Sequence, residues 1–266
     1  MIVDVNVSLS RWPFRRVPCD EPSRLVEKLR QYGVGQAWTG TLDGLFHRDL
    51  GAANARLAEE CRRYGPGLLV PFGSVNPMLP DWREDVRRCR EVHHMPGIRL
   101  HPNFHGYHLD EPVFAEVLAE AARHGLLVQL ALRMDDVRVQ HPLVKVPDVD
   151  PAPLAKVLAA VKTKLPLVIL NSGRAIGALA ALPNLYFECA MWESVGCAAA
   201  LVEAVTPQRA LFGSHLPLYS LESSLLKLRE SALPAAQAAA IECENARRLM
   251  QLVQEPGAPA VAQRRP

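Results

Sequence analysis

The sequence predicts an α/β fold, a single-domain (β/α)8 TIM barrel, on three observations. Eight short apolar runs recur along the 266 residues, at 2–7, 36–39, 68–74, 97–100, 127–132, 167–170, 185–188 and 210–212. Segments of helical pattern follow each of them, at 22–32, 49–64, 80–91, 111–124, 151–163, 173–182, 193–205 and 234–252. A strand that repeatedly gives way to a helix builds a parallel sheet, and eight such units in about 250 residues make a sheet that closes on itself. The chain is also 49% hydrophobic, enough for one large core.

The first run, IVDVNVSL, is dense enough in apolar residues to be covered on both sides, as parallel strands are. Side chains alternate along a strand, so Asp4, Asn6 and Ser8 are expected on one face, with Val3, Val5 and Val7 on the other. In the helix at 80–91, Arg87, Arg88 and Arg90 form a locally basic stretch that reads as a solvated face. The helix at 111–124 has chemical ends, with Asp110 before Glu111 and Pro112 as a capped start and Gly125 after Arg123 and His124 as a stop. The barrel is expected over 1–254. The tail 255–266, rich in Pro, Gly and Ala, has too little periodic apolar surface to pack and reads as disordered.

A net charge of +2, with basic and acidic residues interspersed, leaves no footprint for nucleic acid or a membrane surface. The cysteines at 19, 61, 89, 189, 197 and 243 include no C-x-x-C pair, so they read as reduced thiols. The chain starts directly with a strand and has no uninterrupted apolar stretch of about 18 residues. A soluble cytoplasmic protein is expected, with a small molecule as its partner and a homo-oligomer left open.

Barrel enzymes place their chemistry at the carboxyl ends of the strands. That rule selects Asn6, Ser8, Asn76, His101, His105, His108, Gln129, Arg133, Asn171, Glu188, Trp192 and His215. Read in order, the strand ends resemble the amidohydrolase-related family of metal-dependent barrel hydrolases. VDVNVSL stands against its D-x-H-x-H opening, GIRLHP and NLYFE against its fourth and seventh strands, LFGSHLP against its GSDxP, and ENARRLM against its closing N-A-x-R-L helix.

In that family two histidines of the first strand, one each from the fifth and sixth, and an aspartate of the eighth form the metal and base cluster. The matching positions here are Asn6, Ser8, Gln129, Asn171 and His215, so no position keeps the family's ligand type. Neutral amide and hydroxyl oxygens suit zinc poorly. The expectation from sequence is therefore no cofactor, the family metal being absent. Without a metal to activate water, a lactone or ester is a more tractable substrate than an amide.

His215 stands where the family has its base, and an imidazole titrates near neutral pH; it is either that base or a histidine bonded to the rim. Glu188 is either a buried acid of raised pKa or the partner of an arginine. Asn6, Gln129 and Asn171 are expected to donate hydrogen bonds to carbonyl or carboxylate oxygens, with Ser8, His101 and His105 in the same substrate site. Arg133, like Arg99 and Arg174, could fork onto a carboxylate or take part in surface ion pairs. Trp192 and Trp12 either wall a pocket or pack the core. Ser8 and Cys189 lack the neighbours of a nucleophile.

Three readings follow. The first is a hydrolase of a small carbonyl compound with His215 as base. The second is a catalytically silent barrel that binds a metabolite or protein. The third is a metal hydrolase whose ligands have moved to the His101, His105, His108 and His215 imidazoles.

Overall fold

The structure, a computed structural model, describes residues 1–161, 165–173 and 176–254. Arg174 and the tail 255–266 lie outside the described residues. Eight strands pair in chain order, every ladder parallel: β1 (Ile2–Leu9), β2 (Val34–Thr41), β3 (Leu69–Ser74), β4 (Gly97–Leu100), β5 (Leu127–Ala131), β6 (Leu167–Leu170), β7 (Leu185–Glu188) and β8 (Ala210–Leu211). Hydrogen bonds from Val5 N to Phe212 O at 3.0 Å and from Ser8 N to Leu216 O at 2.9 Å join the last strand to the first. The sheet is thereby a barrel, as the alternation of runs predicts.

The connecting helices are α1 (Pro22–Gln31), α2 (Leu50–Tyr64), α3 (Trp82–Glu91), the single turn α4 (Pro102–His105), α5 (Pro112–Arg123), α6 (Leu154–Val161), α7 (Cys197–Val205), α8 (Leu221–Glu230), α9 (Ala235–Ala239) and α10 (Asn245–Gln254). The helix expected at 173–182 is reduced to a tight turn over Gly177–Ala181, because Gly173 and Gly177 adopt positive φ and Pro183 follows closely. The one expected at 234–252 is interrupted by a wider turn over Ala240–Glu244. That turn frees the Ile241 carbonyl to accept from Phe212 N at 3.1 Å, which fastens the closing helix to the end of β8.

The buried side chains fall into two clusters. Leu25, Leu29, Leu57, Val86, Phe114, Val117 and Leu201 fill the layer between helices and barrel. Trp38 and Phe72, stacked at 5.1 Å, pack with Val3, Val5, Leu127, Val168, Leu211 and the α10 residues Ala246, Leu249 and Val253. Since α10 touches the adjoining strands β1 and β8 and also β5 on the far side of the barrel, it lies across one end. Its Arg247 reaches Met1, so it plugs the amino end and leaves the carboxyl end for a site.

The alternation expected along β1 slips. Its register against β2 shifts between Asp4 and Val7, and Val3 and Val5 join the interior cluster while Val7 and Leu9 join the outer one. An extra residue in one strand moves every later side chain to the other face. Asp4 therefore does not share a face with Asn6 and Ser8. Backbone groups released by the bulge are still paired, as burial demands: Gln129 Nε2 donates to Val5 O at 2.7 Å, Arg99 Nη1 to Val7 O at 3.1 Å, and Asn6 N to Asp4 Oδ1 at 3.0 Å.

Asn245, in the ENARRLM segment, donates through Nδ2 to Pro207 O at 2.7 Å and to Ala210 O at 2.8 Å, and is 1% exposed. Its replacement strands two carbonyls at the root of β8. Asn245→Ala is expected to destabilise the fold by about 2 kcal/mol, read as a lower urea midpoint at unchanged slope.

Candidate active site at the carboxyl end of the barrel

Beneath the carboxyl end the polar side chains of several strands bond to one another. Arg99, 2% exposed, reaches across the barrel from β4. Its Nε donates to Gln129 Oε1 at 2.8 Å, its Nη1 to Ser8 Oγ at 3.1 Å and its Nη2 to Trp38 O at 3.2 Å. Burial lowers its pKa to about 10, so it stays a cation at neutral pH. Gly40 admits it, since a Cβ there would stand 2.7 Å from Nη1.

On the other side Asn6 Nδ2 donates to Asn171 Oδ1 at 2.8 Å and to Glu188 Oε1 at 3.3 Å. Asn171 donates through Nδ2 to Arg133 O at 2.8 Å and through its backbone N–H to Glu188 Oε1 at 2.5 Å. The second Glu188 oxygen accepts from Ala190 N. Burial pushes the Glu188 carboxyl up, against these hydrogen bonds, which favour the carboxylate. Asp4 is likewise raised, to about 7, by burial opposed by its bonds to Ser214 and Asn6.

His215 follows β8 at φ +58°, as Asn171 follows β6 at +57°, a left-handed conformation that costs a side-chain-bearing residue energy and that surrounding bonds must hold. Its Nε2 lies 2.8 Å from Met134 O. A carbonyl only accepts, so Nε2 carries the proton and the Nδ1 lone pair, which meets no protein partner, is bare. Burial lowers its pKa to about 4, and the cationic Arg99 and Arg15 act in the same sense. His105 repeats the pattern, with Nε2 2.8 Å from Gly44 O and Nδ1 unpaired. His101 stands edge-on to it at 5.9 Å, its pKa held well below the usual histidine range by burial and then by His105, Arg99 and His215.

Above this layer, rings from three loops meet edge to face or tilted. Trp12 lies 5.3 Å from Phe14, 5.8 Å from Phe46 and 6.4 Å from Phe104. Trp12, Phe14 and Phe104 with Asp135, Gln140, His141, Val144 and Val146 border a crevice of only about 10 Å³, room for about one water.

The structure thus gathers Asn6, Ser8, Gln129, Asn171, Glu188, His101, His105 and His215 at one end of the barrel. Asn6, Gln129 and Asn171, expected to donate to a substrate, spend those donors on protein acceptors, and what Asn6 leaves unpaired is an acceptor, Oδ1. Arg133 pairs with Asp148 at 2.7 Å and keeps a buried Nε without a partner. Trp192 is core, 3% exposed, its Nε1 3.4 Å from Ser172 Oγ. His108 is exposed on its loop. Cys189 is buried and its thiol is pushed up to about 12, which removes it as a nucleophile. Sequence reasoning passed over Ser214, Asp4 as a clamp and the aromatic cover. The signal for Arg99 was present, since an arginine inside the buried run GIRL has nowhere to place its charge except the barrel interior.

No helix among the described residues is long and apolar enough to cross a membrane. The amidohydrolase family model matches residues 20–252. No curated protein matches the chain. Among solved structures, a 2,6-dihydroxybenzoate decarboxylase from Rhizobium superposes with a TM-score of 0.75 at 14% identity, covering 94% of this chain and 98% of that one. A dihydroxybenzoic acid decarboxylase from Polaromonas sp. JS666, with bound manganese and 2-nitroresorcinol, gives 0.72 at 11% identity, covering 94% and 97%. A 5-carboxyvanillate decarboxylase from Novosphingobium aromaticivorans, complexed with manganese, gives 0.68 at 12% identity, covering 94% and 96%.

The latter two structures correct the expectation of no cofactor. They hold manganese, a harder ion than zinc that accepts carboxylate and carbonyl oxygens as well as imidazole, so poor zinc ligands do not by themselves argue a metal away. The donor set of this chain nonetheless does not form a ready cage. Among the described residues no three His, Cys, Asp or Glu side chains converge as ligands, and the nearby carboxylates of Asp4 and Glu188 are taken up by N–H and O–H donors.

The lowered pKa of His215 makes a stability prediction. Between about pH 6.5 and 4 the unfolded histidine binds a proton that the folded one refuses, so acid draws the chain toward unfolding. That part of the pH dependence, worth up to about 3 kcal/mol, is expected to disappear in His215→Gln when melting temperature is followed from pH 7 to 4.

Proposed function

The chain belongs to the amidohydrolase family, and we propose that it hydrolyses a small lactone or ester at the carboxyl end of its barrel, with His215 as general base. The observation that carries this reading is the bare Nδ1 lone pair of His215, buried and unpaired on an imidazole whose other nitrogen is pinned to Met134 O. At neutral pH a group lowered to about 4 is unprotonated, so it takes a proton from water and does not supply one in the first step. Decarboxylation needs the reverse, a proton delivered to the carbon that loses carbon dioxide. This separates the proposal from the chemistry named for the structural neighbours, whose likeness at 11–14% identity concerns the fold.

The unpaired polar atoms constrain the substrate. Asn6 Oδ1, His105 Nδ1 and His215 Nδ1 are acceptors and call for hydroxyl or water protons, whereas Arg133 Nε is a donor suited to a carbonyl or carboxylate oxygen. A hydroxylated lactone or a hydroxy-acid ester presents both. The aromatic cover formed by Trp12, Phe14, Phe46 and Phe104 must part for it to enter, after which the same rings would exclude bulk water.

The silent barrel remains as a second reading on one observation: Arg99 bonds Gln129 and Asn6 bonds Asn171, and the amide donors of Gln129 and Asn171 are spent on the backbone carbonyls of Val5 and Arg133. Turnover of a panel of lactones, esters, 2,6-dihydroxybenzoate and 5-carboxyvanillate, with and without added manganese, tests both. Lactone or ester cleavage that falls by about 10²–10⁴ in His215→Ala supports the proposed base. Cleavage unchanged in His215→Ala removes it, carbon dioxide release makes the chain a decarboxylase, and binding without turnover favours the silent barrel.

A further inference from the structure

A buried carboxylate on a different strand from His215 holds the turn that carries it. Asp4 on β1 is 0% exposed, as is Ser214 in the turn that follows β8. Asp4 Oδ1 accepts from Ser214 N at 3.0 Å and Oδ2 from Ser214 Oγ at 2.5 Å. Ser214 Oγ in turn accepts from Leu216 N at 3.1 Å. The residue between these anchored amides is His215, in its left-handed conformation at φ +58°. Asp4 Oδ1 also accepts Asn6 N, so one carboxylate fastens both the β1 bulge and the β8 turn.

We propose that Asp4, acting through Ser214, is the positioning residue that fixes the orientation and tautomer of His215. This deepens the reading of His215 as base and rests on it for its functional meaning. The chemistry asks for a carboxylate. Three protons converge on Asp4, from two backbone amides and a hydroxyl, and an ionised carboxylate is acceptor-only, with room for all of them. In an asparagine of the same shape one oxygen becomes N–H₂, so the charge-assisted bond from Ser214 Oγ gives way to a weaker, reversed one and the hydroxyl proton is left without its acceptor. The turn is loosened, and with it the geometry that keeps His215 Nε2 on the Met134 carbonyl and Nδ1 bare.

The test reads the imidazole itself and needs no substrate. Nitrogen NMR of His215 at about pH 8.5, above the raised pKa of Asp4 so that its carboxylate is ionised, assigned by the signals lost in His215→Gln, gives widely separated Nδ1 and Nε2 resonances when the tautomer is fixed. In Asp4→Asn and in Ser214→Ala these are expected to collapse toward their average as the second tautomer is populated. Asn54→Ala is the control, since Asn54 makes buried bonds to the backbone of Ser74, on a different part of the barrel. It is expected to lower the melting temperature and leave the His215 resonances in place. Unchanged resonances in Asp4→Asn overturn the proposal, as do unchanged resonances in Ser214→Ala should Asp4→Asn fail to fold. The same collapse in Asn54→Ala also overturns it. His215→Ala with unchanged turnover would remove the base without touching this result, so the two ideas fail separately.

Discussion

The buried guanidinium of Arg99 is the constraint on which the carboxyl half of the barrel depends. Rooted in β4, it bonds to the β1 backbone and Ser8, to the β2 carbonyl of Trp38 and to Gln129 of β5, so that one cation spans four strands. Burying such a charge costs several kcal/mol unless hydrogen bonds replace its water. Its fixed fork suits that demand better than an ammonium would. The neighbouring choices follow from it. Gly40 leaves space for the fork, the β1 bulge turns Val7 O toward it, and Gln129 accepts from it while donating onward to Val5 O. The buried carboxylates Asp4 and Glu188 lie within electrostatic reach and oppose the loss of its proton.

That network explains why the positions matching a metal-ligand set have become poor substrate donors. An amide facing a charge or another amide finds its partner inside the protein, and a satisfied group has little to gain from a ligand. Among the buried atoms left over at this end are Asn6 Oδ1, a ring nitrogen each of His101, His105 and His215, and the Arg133 Nε donor, with His93 Nε2 and Tyr107 OH unpaired elsewhere. Unpaired buried acceptors are costly, and in a packed core they are rare. Their concentration at the barrel end where function is expected is therefore more informative than any one of them.

The fold was legible because its signal is repetitive. Each apolar run that the sequence offers became a strand, and Asn245 in the ENARRLM segment proved to tie α10 to the root of β8. The site was legible only in its membership. Strand-end logic named Asn6, Gln129, Asn171 and His215, but which atom of each is free depends on partners more than a hundred residues away in several cases, such as Gln129 with Val5. The helix expected at 173–182 failed locally, through Gly173, Gly177 and Pro183, whose backbone preferences override an apolar pattern. The bulge in β1 left no trace in the alternation of VDVNVSL, since either register buries valines. Its cause is tertiary, in the carbonyls that Arg99 and Gln129 need.

Charge placement at the barrel end bears on what His215 can do. A divalent ion at a barrel mouth concentrates positive charge where substrate oxygens arrive and acidifies the water it binds. Here the resident cation Arg99 is 2% exposed and engaged by four acceptors, so little of its field is spent on a ligand. Its field does reach His215, where it helps desolvation keep the imidazole neutral. Neutrality is what leaves Nδ1 able to accept a proton. The same depression weakens that nitrogen as a base, which is why the substrate we propose is one whose carbonyl is already activated by ring strain or a good leaving group, and not an amide.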